Sequence, residues 1–209
     1  MALASSPRFL VLHALRVKGF AKEDVLAELS ALPVEQVLAE LKTLLTEEQV
    51  LFRENRGLWQ LSPAGKAHHL DLLAEDARPA RAGLEAGYGQ FLAINERFKE
   101  LCGEWQMKPS ADGNLEPNDH SDAAYDQTAV ERLDGINRDA QPICTAFGEV
   151  LGRLAPYAPR LEHSLGRLHD GEQKMFTGVM CGSYHDVWME LHEDLILTLG
   201  IDRTKEGSF

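Results

Sequence analysis

The feature that most restricts the fold is a change of hydrophobic period after Gln49. Before it, apolar residues recur every three or four positions, the spacing of one helix face. After it, residues 50–54 and 58–62 are rich in β-formers, and the Asn-Arg-Gly sequence between them is typical of a hairpin turn. Ser62-Pro63 then supplies a helix N-cap and a proline in the first turn. The sequence therefore predicts helices, a two-stranded hairpin and a return to helix.

Three helices are predicted before the hairpin. The first contains Phe9 to Val17 and ends at Gly19, the second covers residues 22–32, and the third begins at Pro33. The apolar residues of the third helix are spaced by three and four and are expected to point inward. They are Val34, Val37, Leu38, Leu41, Leu44 and Leu45.

This order of elements, with the phrase LWQLSPAGKAHHL at residues 58–70, resembles the winged helix-turn-helix of MarR-like regulators over roughly residues 8–75. One departure is Gln49, which stands where that family usually has glycine. The resemblance implies a third helix in the major groove and a wing on the phosphates of double-stranded DNA. The residues expected to bind DNA are Gln36 and Lys42 on the helix and Arg53 and Arg56 on the wing, with Arg8, Arg16, Lys18 and Lys22 adding phosphate contacts.

The outward residues of the third helix include Glu35 and Glu40, and these carboxylates would repel phosphates. A glutamate can accept a hydrogen bond from a cytosine amino group, so DNA binding remains open. The alternative is a winged helix that docks a protein through a solvated acidic face, since a fold does not fix a function.

The net charge of −12 over 209 residues argues against a protein covered in DNA-binding surface. The charge is unevenly distributed, however. Residues 1–78 hold 9 basic and 11 acidic residues, whereas residues 79–209 hold 12 and 22. We expect two domains, a winged helix at 1–77 and an all-helical ligand-binding or dimerisation domain at 78–209. The predicted fold class is therefore mainly α.

The second domain shows helical periodicity up to residue 200 and no strand pattern. Residues 78–81 break the preceding helix, residues 108–119 are predicted as a long loop, and Pro142 is expected to kink or split a helix. Ser183 is expected to cap the last helix, which Gly200 ends.

Two stretches of this domain place polar residues beside apolar ones. In the first, Asp119, Asp122 and Asp126 are spaced to share a helix face, with Tyr125 between them. In the second, His185, Trp188 and His192 follow one stripe of the last helix. Buried polar groups need partners, so two interpretations remain open.

In the first interpretation, His185 and His192 are core histidines bonded to Asp119, Asp122 or Tyr125. In the second, all these residues line an effector pocket with Trp105 and Trp188 as apolar walls. A metal held by both histidines is possible, but the spacing selects no metal, and none is expected.

The residues NDHSDAAYD, ELCGEWQ and SYHDVWMELHEDLILTLG also resemble a helical module of actinobacterial proteins. That module follows a winged helix in MarR-like regulators, and it resembles a C-terminal extension of some proteins related to pyruvate phosphate dikinase and phosphoenolpyruvate synthase. The resemblance covers most of residues 80–205. It implies a paired unit used in two contexts, without catalysis here.

No nucleotide-binding glycine motif and no zinc-protease motif is present, and Ser183 near Cys181 is interpreted as a cap, so we expect neither an enzyme nor a cofactor. Three scattered cysteines, no apolar run long enough for a membrane span and no signal peptide favour the cytoplasm.

These observations lead to two functional hypotheses. The first is a transcriptional regulator, a homodimer whose effector alters the spacing of its DNA-binding domains. The second is an accessory subunit that docks on a dikinase-like phosphotransferase.

Overall fold

The computed structural model describes residues 2–110 and 112–202, and these residues form a mainly helical protein with two small antiparallel sheets. The first part contains α1 (Pro7–Lys18), β1 (Phe20–Ala21), α2 (Glu23–Ser30), α3 (Val34–Thr46), β2 (Val50–Arg53), β3 (Leu58–Leu61) and α4 (Pro63–Ala77). The second contains α5 (Arg81–Gln106), β4 (Met107–Pro109), β5 (Leu115–Pro117), α6 (Ala123–Val150), α7 (Tyr157–His169) and α8 (Tyr184–Leu199). Short 3₁₀ turns at Gly152–Leu154 and Gln173–Met175 flank α7.

The predicted hairpin and its flanking signals are confirmed. Strands β2 and β3 pair antiparallel with Arg53 opposite Leu58, and Gly57 in the turn has a φ of +62°, a backbone region that favours glycine. Ser62 caps α4, because its Oγ accepts a hydrogen bond from Gly65 N at 3.0 Å. Ser183 caps α8 in the same way through Asp186 N.

Three short strands were not expected. The dipeptide β1 adds to the hairpin, so the sheet has the order β1-β3-β2. Strands β4 and β5 form a second hairpin inside the predicted long loop, with Lys108 opposite Glu116. Two or three residues are too few to show a hydrophobic period, so the sequence carries no signal for them.

Three other expectations need correction. Helix α6 continues through Pro142, so of the two predicted effects, a kink or a split, the split is wrong. Asp119 lies outside this helix and Asp122 is its N-cap, so the expected face shared by Asp119, Asp122 and Asp126 does not exist. On α3 only half of the expected inward residues are buried, since Val34, Leu38 and Leu45 keep 40%, 44% and 43% of their surface exposed.

The buried apolar side chains form one large cluster between residues 80 and 195 and a smaller one between residues 11 and 61. A third cluster joins Phe9 of α1 to Leu73 and Ala77 of α4. The break predicted at residues 78–81 coincides with the end of α4 and the start of α5. Contacts nevertheless cross this break. For example, Leu3 N donates to Val150 O, and Gly152 N donates to Leu3 O.

Candidate nucleic-acid interface and effector site

The four predicted DNA-binding residues are all exposed. Gln36 and Lys42 lie on α3, Arg53 ends β2, and Arg56 lies in the turn of the hairpin. Within residues 2–110 and 112–202, Lys42, Arg53 and Arg56 form no ion pair with one another or with any other residue. Their charges are therefore available to an anionic partner.

The other cations proposed for the phosphate footprint are placed differently. Arg16 Nη1 lies 3.0 Å from Glu193 Oε1, and Lys18 Nζ contacts Glu190 Oε1, so both side chains reach α8. Arg8 pairs with Glu47. A paired cation releases fewer counterions on meeting phosphate, so these pairs make phosphate contacts by Arg8, Arg16 and Lys18 less favourable. Of the four cations, Lys22 is the one that has no ion-pair partner among the described residues.

Four of the seven effector candidates lie among aromatic side chains of the packed core, three of them in one cluster around Trp188. Trp188 stacks on Phe91 with ring centroids 4.9 Å apart, and its Nε1 donates to Asn95 Oδ1 at 2.9 Å. The cluster is completed by His192 against Phe91 and His185 against Phe98. Trp105 stacks separately on Phe176. Trp188 has no exposed surface, and burial lowers the pKa of His185.

The other three candidates lie after the β4–β5 hairpin and at the start of α6. Asp119 pairs with Lys108 at 2.6 Å, which together with its bonds to Ser121 holds the pKa of Asp119 well below its ordinary range. Asp122 caps α6 through Ala124 N and Tyr125 N. The Tyr125 hydroxyl donates to Glu104 O at 2.9 Å. The observed partners of these three residues thus differ from His185 and His192, the partners that one interpretation predicted.

His192 and Asp126 have partners other than the predicted ones. His192 Nε2 lies 3.4 Å from the Tyr88 hydroxyl. The Asp126 carboxylate accepts instead from His120 Nδ1, at 3.0 Å, and from the Asn118 amide. His192 is thus buried and contacts Tyr88, a partner that the sequence did not predict, and both interpretations of this residue stay predictions.

The structure also contains a buried polar cluster that the sequence did not indicate. His13 on α1, His69 on α4, Arg153 after α6, and Tyr157 and Asp194 on α7 and α8 meet where the two parts of the chain contact each other. Arg153 donates to Asp194, to Asp76 Oδ2 at 2.9 Å and to Thr198 Oγ1 at 2.6 Å. Each residue lies in a different helix or turn, so no local spacing could have revealed the cluster.

The two imidazoles of this cluster contact each other and the charged groups. His13 Nε2 lies 3.0 Å both from Asp194 Oδ1, which can only accept a hydrogen bond, and from Arg153 Nη1, which can only donate one. His13 Nδ1 lies 2.9 Å from His69 Nε2, so one of these two nitrogens carries the proton between them. His69 Nδ1 is left buried with no hydrogen-bond partner among the described residues.

Burial and charge set the protonation states of the cluster. Burial lowers the pKa of His13, and burial together with neighbouring cations lowers the pKa of His69 to about 3. Burial would raise the pKa of Asp194, but Arg153 and His13 outweigh it and hold that pKa below its ordinary range. At neutral pH the cluster therefore contains two neutral imidazoles, the Arg153 guanidinium and the ionised Asp194 carboxylate.

A cavity of about 420 Å³ opens between the end of α1, β3 and the start of α4. Its lining is Leu15, Arg16, Gly19, Gln60, Leu61 and Lys66, none of which was an effector candidate.

Among the described residues, no group of three or more His, Cys, Asp or Glu side chains is arranged to hold a metal ion. None of the described helices combines the length and apolarity needed to cross a bilayer.

Comparison with protein-family models, with curated proteins and with solved structures found no match to this chain.

Proposed function

We propose that this chain is a non-catalytic transcriptional regulator whose residues 1–77 form a winged helix that binds double-stranded DNA. The observation that carries the proposal is the set of exposed, unpaired cations on α3 and on the β2–β3 hairpin, Lys42, Arg53 and Arg56. In a winged helix these two elements meet DNA together.

Each residue has a distinct role in this proposal. Arg53 and Arg56 neutralise phosphates beside the groove, which supplies affinity without sequence preference. Gln36 suits a bidentate contact with adenine, and Lys42 suits the acceptors of guanine. The helical part positions the winged helix through the buried cluster around Arg153, which joins α1 and α4 to α8.

The experiment is a selection of genomic DNA fragments with the full chain, followed by titrations of the selected fragment at several salt concentrations. Arg53→Ala and Arg56→Ala should each weaken binding and reduce the slope of log K against log salt by about one. The matched control is Arg138→Ala, at an exposed position of α6, which should leave the slope unchanged. The absence of any bound fragment at low salt would show that the proposal is wrong.

The second candidate is an accessory subunit of a dikinase-like phosphotransferase. It is favoured by the apolar exposure of Val34, Leu38 and Leu45 beside Glu35, which suits protein better than phosphate. Co-purification with the dikinase-like enzyme of the same genome, abolished by Leu38→Asp, would support it.

A further inference from the structure

Helix α3 has an apolar edge that the described residues of this chain leave uncovered. Val34, Leu38 and Leu45, spaced by four and seven residues along this edge, are 40%, 44% and 43% exposed. Such a spacing follows one side of a helix for its whole length. Single exposed apolar residues are common on surfaces, but a row of them on one short helix is not explained by DNA binding.

The edge is self-complementary. If two copies of α3 meet antiparallel about a twofold axis between residues 39 and 40, Val34 lies opposite Leu45 of the second copy, and the two copies of Leu38 lie on either side of the axis, about 4.5 Å apart along the helices. All three exposed apolar positions therefore meet apolar positions of the second copy. A twofold contact requires this property, because each copy presents the same surface to the other.

The charges beside the edge are also complementary. Glu35 and Lys42 are seven residues apart, close to two helical turns, so they lie on the same flank of α3. In an antiparallel pair each flank faces its own counterpart. Glu35 of one copy therefore faces Lys42 of the other, and the symmetry forms this pair twice. Both side chains are exposed, and neither has an ion-pair partner among the described residues.

We infer that a second copy of this chain docks on the exposed edge of α3 through an antiparallel, twofold α3–α3 contact. The helix has 13 residues and is about 20 Å long, so the contact falls in the range of weak interfaces below about 1,200 Å². The dimer is accordingly concentration-dependent. The contact also gives Glu35 a role that DNA binding does not.

The inference rests on the proposed function in one respect. If α3 reads DNA, this dimer covers Lys42 and prevents a duplex from approaching the helix. Self-association and DNA binding then compete for one surface, and the monomer is the form that binds DNA. The dimer itself does not depend on that activity.

The test is sedimentation of the full chain between about 10 µM and 1 mM, with charge reversal at the two flank positions. Glu35→Lys alone and Lys42→Glu alone each replace two attractive pairs by two repulsive ones, and each should weaken association about tenfold. The double variant E35K/K42E restores both pairs with reversed sign and should return association to within about threefold of the original. Leu38→Asp should abolish association.

Two measurements exclude simpler explanations. Glu85→Lys changes the net charge as Glu35→Lys does, at an exposed position of α5, and should leave association unchanged. Thermal unfolding should show that every variant is folded. A monomer at all concentrations, or a double variant as weak as the single ones, would overturn the inference. DNA binding measured at nanomolar protein, where the chain is monomeric, reports on the proposed function separately.

Discussion

His13 Nε2 lies 3.0 Å from Asp194 Oδ1 inside the protein, so a histidine of the first helix is bonded to a carboxylate of the last. Arg153 donates to the same carboxylate and also to Asp76 on α4. The helices α1, α4 and α8, which are distant along the chain, are thus joined by one buried set of polar and charged side chains. The Glu190 carboxylate forms a similar arrangement nearer the surface, because it pairs with both Lys18 and Arg160.

Arg153→Met should lower the free energy of unfolding by about 3–5 kcal/mol, because it leaves Asp194 and Asp76 without their guanidinium in a buried site. Urea unfolding measures the loss. The control is Arg97→Met, whose pair with Asp139 is about half exposed and should contribute no more than about 1 kcal/mol. Equal losses in the two variants would contradict the importance of burial.

Acid should destabilise the protein as the pH falls below about 6.5. His13 and His69 have folded pKa values below 6.5, so the unfolded chain binds more protons than the folded one, and each such group costs up to about 1.4 kcal/mol per pH unit. The folded pKa of Asp194 is also lowered, so protonation of this carboxylate destabilises the folded protein further at lower pH. The measurement is urea unfolding between pH 7.5 and 4.5.

His69→Gln removes one titrating group and should flatten that pH dependence, whereas His163→Gln, at an exposed position of α7, should not. If both variants retained the slope of the original protein, the acid sensitivity would have to arise outside the buried cluster.

Gly65→Ala should strongly destabilise the junction of the hairpin with α4. An added Cβ would lie 1.9 Å from Gln49 O, a backbone atom that cannot move without breaking its bond from Ser62 N. Gly103→Ala is the matched change inside α5, where a Cβ meets nothing within 4 Å, and it should stabilise by about 0.5–1 kcal/mol. Thermal unfolding compares the stabilities of the two variants. A Gly65→Ala variant as stable as the original protein would contradict the close approach of Gly65 to Gln49 O.

Trp188→Ala should cost about 3–5 kcal/mol of unfolding free energy, because the indole is fully buried and its removal leaves a cavity and an unpaired Asn95 Oδ1. Urea unfolding and the near-ultraviolet circular dichroism of the aromatic cluster report the change. A variant as stable as the original would instead favour the predicted effector pocket around this residue.

Local patterns predicted much of the fold correctly. Ser62, Pro63 and Gly57 determine their cap and turn through the conformations that their own side chains allow, so they can be interpreted without tertiary information. The exposure of Leu38 and Leu45 could not be predicted in this way. Helical period indicates that a residue faces one side of the helix, not whether another element covers that side.

The sequence by itself determined the order of helices, the hairpin and the break before α5, because these depend on residues within a few positions of one another. Only the tertiary structure decided which polar residues meet. His13, Arg153 and Asp194 are far apart along the chain, and their contact depends on how whole helices pack. The same packing directs Arg16 and Lys18 to α8 and leaves Lys42, Arg53 and Arg56 unpaired among the described residues.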